Sequence, residues 1–260
     1  RHLEPGIAED ALRVLRAARV QVHLVRAADG PALCCGRAAW SAGLIDEARD
    51  HVRRLLQALA PHLAAGRPVI GLEPSCLIML RDEVLQMGLA AEPVQALARQ
   101  ALLVEEFLVR LIDGRTLRPP WLPLPATVHV HGHCHQKAHG TLKHVRKLLG
   151  QVPQLQVAWI ESSCCGMAGG FGYEAERHAD SMAMGELALL PAVRAAAPDA
   201  LLLASGTSCR HQIADGTGRR AEHLVQLLAR ALPDAPTAPA AVPCGRGSPS
   251  VPIDPAPEVT

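Results

Sequence analysis

The residues with chemistry to offer are the eight cysteines, at positions 34, 35, 76, 134, 164, 165, 209 and 244. Two pairs are vicinal and each is followed by glycine: Cys34-Cys35-Gly36 and Cys164-Cys165-Gly166. Thiolates are soft ligands for zinc and iron–sulfur clusters, and activated thiolates do redox chemistry. The even count admits disulfides, yet 260 residues is far above the size of disulfide-stapled scaffolds. Adjacent cysteines bridge each other only with strain, because the bridge demands particular Cα and Cβ separations. Reduced, intracellular cysteines that bind metal or exchange electrons are the better reading.

Cys134, Cys164, Cys165 and Cys209 supply the four thiolates that one iron–sulfur cluster or one structural zinc requires. Each follows a strand-like run, and in open α/β sheets sites collect beyond the carboxyl ends of strands. They are therefore expected to converge at one sheet edge. Gly166, with the glycines at 169, 170 and 172, lets the backbone close around a bulky group. Among the nearby histidines, His133 and His135 are expected to line the site and His139 to face solvent, while His131 remains a possible ligand or proton relay. Cys34, Cys35 and Cys76 form a similar but incomplete set. The counterpart of Cys134 would fall before Arg1, and Arg1 opens directly into a helical pattern, so the chain reads as a segment of a longer protein.

The elements that must position these residues follow from hydrophobic periodicity. Helical patterns cover residues 7–18, 43–65, 77–87, 93–112, 138–149, 174–194 and 222–232. Strand-like runs cover 20–25, 68–72, 127–131, 155–160 and 200–204. Arg118–Pro125 is proline-rich and marks a boundary. The halves also match by offset: each member of Cys34-Cys35-Gly36 recurs 130 residues later, and Ser75-Cys76 recurs as Ser208-Cys209. This predicts an α/β fold of two βαβ-type halves with small parallel sheets, an internal duplication with pseudo-two-fold symmetry. The expected divisions are residues 1–117, a connector at 118–126, residues 127–232, and a disordered Pro/Ala-rich tail at 233–260 that holds Cys244.

Composition narrows the function. Lys plus Arg number 26 against 25 Asp plus Glu, so no basic field calls for nucleic acid or an anionic membrane. Aromatic residues are 2%, too few for base-stacking platforms. No apolar run reaches the roughly 18 residues of a spanning helix.

Cys34-Cys35-Gly36-Arg37, Glu73-Pro74-Ser75-Cys76, His131-Gly132-His133-Cys134-His135, Cys164-Cys165-Gly166-Met167 and Ser208-Cys209-Arg210-His211-Gln212 resemble the cysteine-rich, or CCG, domain. That domain occurs in the heterodisulfide reductase B subunit and the glycolate oxidase iron–sulfur subunit. The stretches look closer still to the C-terminal iron–sulfur part of FAD-linked 2-hydroxyacid dehydrogenases of D-lactate or glycolate type. The sequence departs from the family pattern at its final cysteine, which is Gln212 in the second half and Met79 in the first. The resemblance implies a 4Fe-4S-type cluster, with FAD in another domain or a partner subunit, and electron transfer to a quinone or other carrier. The implied location is the cytoplasm, peripheral to the inner face of the membrane. Zinc in a docking domain, and thiol–disulfide chemistry of heterodisulfide reductase type, are the alternatives.

Overall fold

The computed structural model describes residues 4–27, 30–118 and 121–233; Cys244 and nearly all of the expected tail lie outside them. The fold is α/β with two small parallel sheets. Helix α1 (Pro5–Ala17) opens the chain, its proline placed where a helix tolerates the missing N–H. The stretch 20–25, expected as a strand, pairs with nothing and has no regular structure. Short helix α2 (Arg37–Ser41) follows the first Cys-Cys-Gly. The long α3 (Ile45–Ala64) buries Ala48, Val52, Leu59 and Leu63 along one stripe.

Strand β1 (Val69–Gly71) feeds α4 (Pro74–Met79). The predicted helix over 93–112 is interrupted. It comprises α5 (Ala91–Gln100), strand β2 (Ala101–Leu103) and α6 (Val104–Asp113). Three residues are too few to disturb a helical period, and no glycine or proline marks the break. What stabilises β2 is tertiary: all three residues are buried and pair in parallel with β1, Val69 opposite Ala101. The Glu106 carboxylate accepts from the Leu103 N–H at 2.9 Å and from Arg81 at 2.6 Å, capping α6.

Beyond the connector, β3 (Ala126–His131) lies between β4 (Leu155–Trp159) and β5 (Leu201–Ala204), all parallel. Helices α7 (Cys134–Ala138) and α8 (Leu142–Leu149) link β3 to β4. The helix expected over 174–194 is one short 3-10 turn (Ala175–Arg177), then α9 (His178–Glu186) and α10 (Leu189–Ala195). Pro191 explains the last break, since its ring would clash with the carbonyl of residue 187 in a continuous helix. After β5 come α11 (Thr207–Thr217), which periodicity did not signal, and α12 (Leu224–Arg230).

The largest core draws on both sides of the connector: Val14, Leu108, Val128, Leu148 and Leu228 share one cluster. α1 packs on α12, and α6 packs on α8. A smaller cluster containing Leu189, Leu190 and Val193 backs Cys165 and Cys209. Two further clusters, both touching Cys35, fill the first half. Polar links also cross between the halves. The Glu73 carboxylate accepts from the Thr207 N–H and hydroxyl, both at 2.9 Å. His223 Nε2 lies 2.9 Å from the Leu72 carbonyl. Among the described residues, no helix is long and apolar enough to cross a membrane.

Candidate metal centre

The three strands of the second sheet each deliver cysteine beyond their carboxyl ends. Cys134 opens α7 after β3, Cys164 and Cys165 stand in the turn after β4, and Cys209 is the third residue of α11 after β5. Their thiols form a continuous series: Cys134 neighbours Cys164, Cys164 neighbours Cys165, and Cys165 neighbours Cys209. Cys165 and Cys209 are buried, while Cys134 and Cys164 are partly exposed, so the group opens to solvent on one side.

The turn that presents the vicinal pair depends on glycine. Gly166 has φ +99°, and a Cβ there would meet Ser181 O at 2.1 Å. Its N–H donates to Cys164 Sγ at 3.3 Å. Lys137 reaches from α7 to the carbonyls of Ser162 and, at 3.2 Å, Ser163, fixing the approach to the turn.

The pull on the thiols alternates in direction along the series. Cys164 is held well below the usual thiol range by Cys134 and Cys165, helped by the Gly166 and Ala168 N–H groups. Cys209 is lowered by Cys165 and His131. Cys134 is raised by Cys164 and burial, and Cys165 by Cys164, Cys209 and burial. Adjacent sulfurs cannot both hold negative charge in a shielded pocket unless a cation neutralises them. A metal centre removes that restriction, because it stabilises every coordinating thiolate.

The histidines divide the second group's surroundings. His133 Nδ1 accepts from the His135 N–H at 3.1 Å and caps α7. Cys134 Sγ lies 3.8 Å from His133 Nδ1 and 3.5 Å from His135 Nδ1, so both predicted lining residues are at the site. His139 is exposed, as expected. His131 is 2% exposed, and one of its ring nitrogens lies within 4.8 Å of the sulfurs of Cys165 and Cys209. The sequence left it as a possible ligand or proton relay; its buried place at the end of β3 is what sets it apart from its neighbours. Gln212, at the position of the family's last cysteine, turns its amide to Ser181 O at 2.8 Å.

In the first half, Cys34 neighbours Cys35 and Cys35 neighbours Cys76. Cys76 is the third residue of α4 after β1, matching Cys209 in α11. The Cys34-Cys35 pair follows irregular chain and not a strand, so only one cysteine site here is strand-delivered. Cys34, though exposed, is raised by Cys35 and by partial loss of solvent around its sulfur. Cys34 lowers Cys35, but Cys76 and burial outweigh it and push Cys35 up to about 12. Cys76 is lowered by Cys35. Met79 is fully buried in the core. The two groups lie near each other: α4 packs on α7, and Arg37, after burial and His133, contributes to lowering His135.

Glu73 is a residue that sequence reasoning undervalued. It also receives the Ser75 hydroxyl at 2.9 Å, so one carboxylate joins the helix that carries Cys76 to the helix that carries Cys209.

A cysteine-rich domain (CCG) family model matches residues 1–81 and 128–214, the stretches that hold the two cysteine groups. One subunit of the anaerobic glycerol-3-phosphate dehydrogenase of Escherichia coli (strain K12) is 31% identical over 230 residues, covering 88% of this chain and 56% of that protein. The D-2-hydroxyglutarate dehydrogenase of the same organism is 27% identical over 209 residues, covering 74% of this chain and 18% of that protein. The Pseudomonas putida D-2-hydroxyglutarate dehydrogenase is 26% identical over 177 residues, covering 66% of this chain and 16% of that protein. The chain thus spans about half of the first relative and under a fifth of the others. With both cysteine groups inside the matched stretches, the chain belongs to the cysteine-rich domain (CCG) family.

Proposed function

We propose that this chain is the iron–sulfur electron-transfer module of a flavin-dependent dehydrogenase. The observation that carries this reading is the convergence of Cys134, Cys164, Cys165 and Cys209 beyond three parallel strands. Four neighbouring thiols, two of them buried, are a poor structural core and a good ligand set. A 4Fe-4S-type cluster bound there supplies one-electron chemistry, carrying electrons from reduced flavin toward a quinone or other carrier. Cys134, Cys164, Cys165 and Cys209 would hold it. His133 and His135 line the open side, and Gly166 donates its N–H toward the cysteine sulfur, a contact that tunes such centres.

The flavin belongs to another domain or a partner subunit, which also carries the substrate. The relatives named above are dehydrogenases of glycerol-3-phosphate and D-2-hydroxyglutarate. Both compounds carry a secondary alcohol, and that is the substrate class we propose; the narrower D-lactate or glycolate type is one member of it. Reduced thiols suit the cytoplasm, at the inner face of the membrane where a quinone is reached. Cys34, Cys35 and Cys76 belong to a second, smaller group in a half (1–117) duplicated from the same ancestor as 127–232.

Zinc is the second reading, favoured by the mixed grouping of His131 with Cys165 and Cys209, which also suits a tetrahedral zinc. Stopped-flow kinetics on the whole dehydrogenase separate the readings. In Cys165→Ser, substrate should still reduce the flavin at the wild-type rate, while electron delivery to the acceptor falls at least tenfold. Loss of flavin reduction in folded protein, or full turnover in the variant, contradicts the electron-transfer reading.

A further inference from the structure

His131 is the last residue of β3 and its ring is buried. Nδ1 lies 2.8 Å from Ser162 Oγ. Nε2 is enclosed by protein and has no partner of good hydrogen-bond geometry among the described residues; the groups near the ring are the thiols of Cys165 and Cys209. Buried polar atoms are almost always satisfied, so an orphaned one needs a cause. A His131 ring nitrogen lies within 4.8 Å of Cys165 Sγ and Cys209 Sγ, and those two sulfurs are equally close to each other. With Nδ1 engaged by Ser162, Nε2 is the nitrogen left for the sulfurs' side of the ring.

This is how metal-ligating histidines are held. One ring N–H is donated to an outer partner, which fixes the tautomer, and the other nitrogen presents its lone pair to the metal. Here Nδ1–H would donate to the Ser162 hydroxyl. The neighbouring histidines are not placed this way: His133 Nδ1 is spent on capping α7, and His135 is half-exposed beside Cys134. The geometry points to His131 Nε2 as a direct protein ligand of the metal centre, beside Cys165 and Cys209. The metal is an iron of the cluster or, on the second reading, zinc; imidazole serves either. The inference rests on the reading of the second-half group as a metal centre. An imidazole in place of a thiolate removes one negative charge from the ligand set, and at iron–sulfur centres that raises the reduction potential.

The test is the coordination sphere itself. The full chain, expressed with 15N-labelled histidine and purified anaerobically, is studied by pulsed paramagnetic resonance of the reduced centre. X-ray absorption at the iron or zinc edge identifies which metal is present. A directly bound nitrogen is expected in the wild type. In His131→Cys that nitrogen should vanish while metal content stays within about twofold, because a thiolate can replace imidazole. In His133→Gln it should persist. A wild-type centre with sulfur ligands alone, or a nitrogen signal that survives His131→Cys, overturns the inference and leaves the electron-transfer reading standing. No metal in the wild type overturns both. The wild-type spectrum decides the matter even if a variant fails to fold.

Discussion

Gly36 and Gly166 make the same turn. Both sit at positive φ, +82° and +99°, and each donates its N–H to the cysteine sulfur two residues earlier, at 3.4 Å and 3.3 Å. Cys76 and Cys209 also match, each the third residue of a helix that follows a parallel strand. Around these shared parts the halves diverge. The second sheet has three strands and gathers four sulfurs, whereas the first has two strands and gathers three. Among the described residues of the first half, none takes the place of Cys134, which the central strand β3 delivers in the second. Cys34 is exposed, and Cys76, the first-half match of Cys209, has no counterpart of His131 beside it among the described residues. The difference teaches that the same Cys-Cys-Gly turn can be built on different supports: three strands lead to the second group, whereas only β1 leads to the first among the described residues.

The strongest way to break this comparison is to remove one cysteine from each half. Cys165→Ser should lower bound metal at least about tenfold, while Cys35→Ser leaves the second-half metal within about twofold. Elemental analysis of anaerobically purified protein measures both. Equal losses would mean that the halves share one centre.

The glycines sharpen the contrast in stability. In Gly166→Ala the new Cβ meets backbone, Ser181 O at 2.1 Å, whereas in Gly36→Ala the contact is Ala48 O at 2.9 Å. Left-handed strain of about 1–2 kcal/mol applies to both, and overpacking of about 1–3 kcal/mol adds chiefly to the first. Urea unfolding should show losses of about 3–4 kcal/mol for Gly166→Ala and about 2 kcal/mol for Gly36→Ala. The reverse ranking would contradict the packing described.

Acid should loosen the tie between the halves. Burial lowers His223 from 6.5 to about 4, against the raising effect of the Leu72 carbonyl. Its Nε2–H donates to that carbonyl while Nδ1 accepts from the Val225 N–H at 3.1 Å, so a second proton on the ring has no place. A lowered pKa means that the neutral ring's contribution is complete above pH 6.5 and is lost as pH falls toward 4. The full loss is on the order of 3 kcal/mol. Unfolding at pH 7 and pH 4 in wild type and His223→Gln measures it; an equal acid response in the variant assigns the effect elsewhere.

The smallest expected effect is Glu73→Gln. It weakens two bonds to Thr207 and one from Ser75, at a cost of about 1–2 kcal/mol. The same unfolding assay checks it, and no change would mean that Glu73 does not join the halves.

The second half was the more legible in sequence because its signals are local. β3, β4 and β5 are runs bounded by turns, and a cysteine follows the end of each within five residues. The cysteine groups could be read from residue type alone. What escaped is tertiary. β2 is three residues inside an unbroken helical period, and it exists only because β1 offers a buried partner. The stretch 20–25 alternates like a strand but has no partner strand, and Val20 and Val22 pack against the main core instead. His131 and Glu73 take their roles from neighbours far away in sequence: Cys165, Cys209 and Thr207.

The central claim is that the second-half cysteines hold an electron-carrying cluster. The most direct test is iron, sulfide and zinc analysis of the anaerobically purified full chain, with paramagnetic resonance before and after reduction. The account predicts iron and sulfide in equal amounts, about four of each per occupied site for a 4Fe-4S-type cluster, with a paramagnetic signal that responds to reduction and is lost in Cys165→Ser. Stoichiometric zinc without sulfide, or metal-free folded protein, would contradict it.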